Sequence, residues 1–333
     1  MLEAYPARGS EGRTRRNETA PAGPLSLRDM GSDELQTSGH QVSASPRRDG
    51  PAFGGASITA DYLTLLKRSL TATVHQNVYT RPTAFDRPNL RNIPWAPRRW
   101  ARYLAASAIR VPDWELVRAC DREALEQGRA WPLVGETMVG TARLDNLQSC
   151  IEDVVGQGVP GDFIETGVWR GGASIFARGV LKALGVDDRR IWVADSFAGL
   201  PRPDGRYGAD AGDITYSISE LAIPLEVVKS NFRRYGLLDE QVRFLPGWFR
   251  DTLPTLVDQT WAVLRLDGDM YGSTMDALEN LYPRLSVGGY VIIDDGAIPA
   301  CRAAVEDFRA RHEIQDPIAQ IDWTGCFWKR SSA

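Results

Sequence analysis

Histidine is scarce in this chain. The three present, His40, His75 and His312, lie far apart and match no metal or triad spacing, which leaves no basis for a His-ligated zinc or a Ser-His-Asp nucleophile. Cysteine is scarce too. Cys120, Cys150, Cys301 and Cys326 form no CxxC pair, so the expectation is reduced thiols in a cytoplasmic protein. No apolar run is long enough to span a bilayer, and the first residues lack the apolar core of a signal peptide. No run of Lys and Arg marks the part that reads as folded, and the net charge is −4, so neither nucleic acid nor a membrane is expected as a partner.

What the chain does have is a strict order. Residues 1–55 are polar, rich in Gly, Pro, Ser and Arg, and carry no hydrophobic period; they read as a disordered tail. From Ile58 the pattern changes: Tyr62, Leu63, Leu65, Leu66 and Leu70 recur at helical spacing. An irregular, proline-bearing stretch follows from His75 to Arg99. Asp113 is then the expected cap of a helix running to Gln127 and stopped by Gly128. A further helix is expected from Thr141 to Gly156. At Gly161 strands begin to alternate with helices. The strands read GDFIETG, RRIWVADS, VRFLPG, Ala262–Leu266 and Tyr290–Ile293, and Ile318–Ile321 with Cys326–Lys329 reads as a terminal antiparallel hairpin. This predicts an α/β fold with a mostly parallel sheet and helices on both faces.

Aspartates stand where two of these apolar runs stop. Leu264–Thr274 reads LRLDGDMYGST, and Gly288–Gly296 reads GGYVIIDDG. In open α/β sheets that edge is where ligands bind. Two like charges about 4 Å apart cost roughly 1 kcal/mol in water and about 4 at an effective dielectric near 20. A divalent cation removes that cost, and oxygen ligands suit Mg²⁺, Ca²⁺ or Mn²⁺. Each aspartate alone serves equally well as a helix cap. As a set, Asp267, Asp269, Asp294 and Asp295 point to metal.

The first strand leads into Glu165-Thr166-Gly167-Val168-Trp169-Arg170-Gly171-Gly172. Its glycines miss the GxGxxG spacing of a dinucleotide site, and Glu165 would repel a pyrophosphate. A ligand with a cationic amine and no phosphate, such as S-adenosylmethionine (AdoMet), fits better. Asp195 ends the second strand, where an acidic side chain holds ribose hydroxyls. Candidate cofactor positions are therefore Glu165, Thr166, Gly167, Arg170 and Gly171 on the first turn, Asp195 and Ser196 after the second strand, Gly247 and Trp248 after the third, and Asp267 after the fourth. Arg170 is a candidate partner of the cofactor carboxylate, or merely a solvent-facing charge. Trp131, Trp169, Trp248 and Tyr271 are candidate stacking rings, and each is equally a core or lid aromatic.

The runs FIETGVWRGG, ADSFAGLP, LRLDGDMYGSTMDALENLYPRLSVGGYVIIDD and PACRAAVEDFR, in that order, resemble the TylF-type sugar O-methyltransferases of the macrocin, mycinamicin and novobiocin pathways. The resemblance spans Ser57 to the C-terminus. It implies a class I AdoMet-methyltransferase fold, Rossmann-like, over residues 141–333, with a helical lid and acceptor-binding segment over residues 56–140. It implies Mg²⁺ on Asp267, Asp294 and Asp295, Asp269 as general base, and Thr137 and Met138 approaching the cofactor. It also implies a homo-oligomer, dimer or higher, acting on a small-molecule glycoside.

The chemistry is consistent with this. An ordinary Asp, pKa about 3.9, is too weak to deprotonate a sugar hydroxyl unaided; a cation on that hydroxyl lowers its pKa, and a vicinal hydroxyl completes the chelate. Both Asp267 and Asp269 reach the metal on this reading, so which one takes the proton stays open. The competing reading is a metal-dependent glycosyltransferase with Asp267-Gly268-Asp269 as its DxD. Against it stand Glu165, of the wrong charge for a sugar nucleotide, and the surplus Asp294 and Asp295.

Overall fold

A computed structural model describes residues 55–80 and 117–332. The predicted tail, the proline-bearing segment beyond residue 80 and the Asp113 cap lie outside the described residues. Helix α1 covers Gly55–Leu70, and strands β1 (Tyr79–Thr80) and β2 (Arg118–Ala119) pair antiparallel. Helices α2 (Arg122–Glu126) and α3 (Thr141–Gly156) lead into the sheet. Then come β3 (Asp162–Thr166), α4 (Gly172–Ala183), β4 (Ile191–Asp195), α5 (Leu225–Arg234), β5 (Val242–Pro246), α6 (Phe249–Thr252) and β6 (Trp261–Leu266). The chain closes with α7 (Tyr271–Leu281), β7 (Leu285–Ile293), α8 (Pro299–Arg311), β8 (Ala319–Gln320) and β9 (Cys326–Lys329).

The sheet runs in the order β5-β4-β3-β6-β7-β9-β8. Its first five strands are parallel, and β9 and β8 add antiparallel, as the terminal hairpin required. The chain moves outward from β3 to one edge, then returns to place β6 on the other side of β3. Neighbouring connections therefore diverge at the β3/β6 boundary, which opens a crevice at their carboxyl ends.

Alternation along the strands supplies two cores. Phe163, Val263 and Ile292 pack with α1, α3, α4 and α5 on one face. Ile164, Leu264, Val291 and Ile293 pack with α7 and α8 on the other. Each such side chain contributes about 1.5–3 kcal/mol by leaving water. Strand β6 is buried along its whole length, Arg265 included. On α3, Leu144, Leu147, Ile151 and Val154 form the buried stripe.

One predicted helix is wrong. Instead of continuous helix up to Gln127, residues 118–119 form β2, and Asp121 caps the short α2 by accepting from the Glu123 amide at 3.1 Å. The reason is non-local. Cys120 donates its amide to Val78, and Arg122 donates to the carbonyls of Thr73 and His75, so the segment pairs with the chain after α1 rather than with itself. Gly128 does end the element, at φ +64°.

Candidate active site

Over the ends of β3, β4, β5, β6 and β7 lies a cleft of about 360 Å³, within the ~300–1,000 Å³ range of small-molecule sites. Of the sequence-selected residues, Thr137, Met138, Glu165, Gly167, Asp195, Ser196, Gly247, Trp248, Asp267, Asp269, Asp294 and Asp295 line it. Thr166, Arg170 and Gly171 sit behind that lining. Thr166 is buried within β3, and Gly171 precedes α4 at φ +87°, against Val228 and Phe232.

One half of the cleft is built on the glycine turn. Gly167 holds φ +84°, and a Cβ there would lie 1.8 Å from the carbonyl oxygen of Asp267. Only glycine lets the ends of β3 and β6 come this close. From β4, Asp195 Oδ2 accepts the Val168 amide at 2.8 Å and Oδ1 the Phe197 amide at 2.7 Å. Burial raises its pKa, and those donors pull it back. Trp169 and Phe197, beside this bridge, hold positive φ of 47° and 54°, strain of the kind found at functional sites. Ser196 closes the next turn, donating to the Gly199 carbonyl at 2.6 Å.

Two candidate residues in this half are engaged by the protein itself. Arg170, expected to meet a cofactor carboxylate, donates instead to the carbonyls of Pro132, Leu133 and Gly135 at 3.2, 3.3 and 2.8 Å. The irregular segment before Thr137 has carbonyls that need donors, and Arg170 supplies them. Glu165, expected to face a free amine, is 1% exposed. Its Oε1 accepts from Arg265 at 2.5 Å and its Oε2 from Ser174. Burial raises its pKa and Arg265 opposes the rise. Its charge is therefore already paired under the cleft floor.

Thr137 and Met138 reach the cleft because Glu136 is fixed behind them. Its carboxylate accepts from Tyr235 Oη at 2.6 Å and from Arg234, and its backbone bridges the Leu70 carbonyl and the Gly172 amide at 2.9 Å each. Burial, then the bond to Glu136, pushes Tyr235 up to about 12.

The other half is acidic. Asp267, Asp294 and Asp295 each present a carboxylate oxygen within 4.8 Å of the others. Asp269, at φ +56°, donates its amide to Asp295 Oδ2 at 3.0 Å. Burial, then the Asp294 charge, holds Asp267 well above the usual carboxylate range, against the pull of Arg265. Burial, then Asp269, Asp267 and Asp294, do the same to Asp295. Asp269 is pushed up to about 6 by burial, Asp294 and Asp213.

Two buried arginines, absent from the sequence-based set, hold this group together. Arg265 donates to Glu165, to Asp267 at 2.9 Å and to Asp294. Burial opposes its charge, but Asp294, Glu165 and Asp267 outweigh burial and raise its pKa. Arg143, from α3, donates to Asp294 and, at 3.0 Å, to Asp322. A charged residue inside the apolar run AVLRLD was the available signal, because a buried arginine needs acidic partners. Asp210, also unforeseen, accepts the Tyr271 and Gly272 amides at 2.7 and 2.9 Å, docking the loop of residues 197–221 on the start of α7. Trp131, Trp169 and Trp248 line the cleft; Tyr271 does not, and its hydroxyl donates to Asp307 at 2.9 Å.

The family model described as macrocin O-methyltransferase (TylF) matches residues 59–330. The chain is 61% identical over 212 residues to the 8-demethyl-8-(2,3-dimethoxy-alpha-L-rhamnosyl)-tetracenomycin-C 4'-O-methyltransferase of Streptomyces olivaceus, covering 62% of this chain and 80% of that one. It is 56% identical over 239 residues to the mycinamicin III 3''-O-methyltransferase of Micromonospora griseorubida, covering 71% of this chain and 94% of that one. The solved O-methyltransferase NovP superposes with a TM-score of 0.69 at 43% identity, over 82% of this chain and 100% of NovP. The chain belongs to the macrocin O-methyltransferase (TylF) family.

Proposed function

We propose that this chain methylates a sugar hydroxyl of a glycosylated natural product, using AdoMet and a divalent cation. The observation that carries the reading is the triad Asp267, Asp294 and Asp295, with oxygens within 4.8 Å, beside Asp269. The donor set fits a hard ion: all ligands are oxygen, and the crowding that raises the carboxyl pKa values favours added positive charge. The glycine turn fits AdoMet. Its glycines miss the dinucleotide spacing, and its one basic residue, Arg170, donates to the carbonyls of Pro132, Leu133 and Gly135.

A cation such as Mg²⁺ on Asp267, Asp294 and Asp295 supplies Lewis-acid stabilisation to an acceptor oxygen and makes its hydroxyl more acidic. Asp269 takes the hydroxyl proton as the positioned base; before a cation binds, burial and the Asp294 charge hold it up at about 6. Gly167 permits close approach of the methyl donor, while Asp195 and Gly247 meet its ribose and adenine. Thr137 and Met138 cover it from residues 56–140, which act as the acceptor-facing lid of the catalytic domain at 141–333. Holding donor and acceptor in line supplies on the order of 7–11 kcal/mol of the barrier. Asp267-Gly268-Asp269 thus serves methyl transfer rather than a sugar nucleotide. The acceptor class follows the Streptomyces olivaceus relative, whose name gives a rhamnosyl-tetracenomycin substrate. The reading includes a cytoplasmic homo-oligomer, which light scattering on the full chain measures.

The test is incubation with AdoMet, Mg²⁺ and a panel of glycosides including mycinamicin III, read by mass. Gain of one methyl, abolished by EDTA and restored by Mg²⁺, is expected. An undiminished rate in EDTA removes the cation, and calorimetric binding of a TDP-sugar in place of AdoMet overturns the reading.

A further inference from the structure

Trp323 lies in the turn between β8 and β9 and lines the cleft while 47% exposed. Exposure alone is ordinary for a single apolar side chain; what sets this ring apart is that it lines the cleft and is fixed there. It is not loose. Its indole N–H donates to the Gln127 carbonyl at 2.9 Å, and the Arg129 guanidinium lies 5.3 Å from its ring centre. Asp322 Oδ1 accepts the Thr324 and Gly325 amides at 3.0 and 2.7 Å, which sets the turn.

The ring is also tied to the acid cluster. Arg143 bonds Asp294 and Asp322 and lies 6.0 Å from the Trp323 ring centre. Thr324, next in the chain, donates its hydroxyl to the Asp294 carbonyl at 3.0 Å. A single guanidinium therefore separates the indole from a carboxylate of the triad. The other cleft tryptophans are placed elsewhere: Trp169 is on the glycine turn with Trp131 tilted against it, ring centres 6.4 Å apart, and Trp248 follows β5. Trp169 and Trp248 thus stand on the turns that carry the candidate cofactor residues Gly167 and Gly247.

We propose that Trp323 is the stacking platform for the acceptor sugar, its ring face packed on the C–H face of the pyranose whose hydroxyls meet Asp267, Asp294 and Asp295. A pyranose offers axial C–H groups to a π-face, and an immobile indole pays little entropy to receive them. This rests on the glycoside reading above and adds the element that selects a ring rather than an open-chain alcohol.

The experiment is saturation-transfer NMR of methyl α-L-rhamnopyranoside on the full chain, with S-adenosylhomocysteine and Mg²⁺ present. Three proteins are compared: wild type, Trp323→Phe and Trp323→Ala. The phenylalanine keeps a π-face and lacks the N–H that bonds Gln127, so it separates stacking from lid clamping. Trp323→Ala is expected to weaken the sugar roughly tenfold and Trp323→Phe by no more than about threefold. S-adenosylhomocysteine affinity by calorimetry and the melting temperature should stay near wild type in Trp323→Phe. Equal losses in both variants would make Trp323 a clamp for the lid and overturn the proposal, as would undiminished transfer in Trp323→Ala. A wild type that shows no transfer sinks the glycoside reading itself.

Discussion

The two halves of the cleft use the same residue type in opposite ways. At the ends of β3 and β4, acids are consumed by the protein: Asp195 accepts two backbone amides and Glu165 accepts from Arg265 and Ser174. At the ends of β6 and β7, Asp267, Asp269, Asp294 and Asp295 gather, and burial with neighbouring acids raises the pKa of Asp267, Asp269 and Asp295. In the first half most acceptor capacity is met by the protein, and Asp195 keeps lone pairs free to face the cleft. In the second, Arg143 and Arg265 pair Asp294, while Asp267, Asp269 and Asp295 stay crowded and raised, which is the crowding a bound cation would relieve on the reading proposed above. A strand-end aspartate is thus informative less by its presence than by whether amides or other acids surround it.

The strongest way to break this contrast is Asp269→Asn. If Asp269 is the base, kcat falls about 10²–10⁴-fold, while AdoMet affinity by calorimetry stays unchanged. A near-normal rate transfers the role to Asp267. Next in size is the pH dependence. Because Asp269 sits at about 6, kcat should fall roughly tenfold per pH unit on the acid side of that value, and a bound cation moves the limb lower still. The sign for stability is opposite to that of an ordinary salt-bridged acid. A carboxyl raised on folding, from about 3.9, stabilises the metal-free fold below that value and loses this contribution as pH rises through the folded pKa. A kcat limb above pH 7, or one that persists in Asp269→Asn, would remove Asp269 from the reaction.

Most of the framework was readable because it is local. Apolar runs ending in acid, Leu266-Asp267 and Ile293-Asp294, marked the carboxyl edge, and helical spacing placed α3 from Thr141 to Gly156. What escaped depends on partners far away in sequence. Residues 118–119 became a strand because Tyr79 and Thr80 lie opposite them. Glu165 meets Arg265 across 100 residues, so the sequence showed two charges in apolar surroundings without showing that they cancel. Trp323 carried no local sign at all; only the terminal hairpin brings it to Asp294 through Arg143.

Two stability measurements sharpen the comparison further. Asp195→Asn replaces one acceptor oxygen with an amide NH₂ facing a backbone N–H, so it should destabilise the protein by about 1–3 kcal/mol, with or without metal. Asp295→Asn should do the reverse, on a smaller scale. The asparagine oxygen still accepts the Asp269 amide, so no hydrogen bond is lost, while one of the crowded charges disappears. Relief of like charges at this spacing is worth roughly 1 kcal/mol where water reaches the cleft, or about 2–4 °C in melting temperature for a domain near 150–250 residues. Scanning calorimetry in EDTA should therefore show the variant melting above wild type. Added Mg²⁺ should raise the wild type and leave the variant nearly unmoved, because a ligand stabilises only the fold that binds it. If Asp295→Asn instead melts lower in EDTA, as Asp195→Asn should, then Asp295 is scaffold like its counterpart on β4, and the cation loses that ligand.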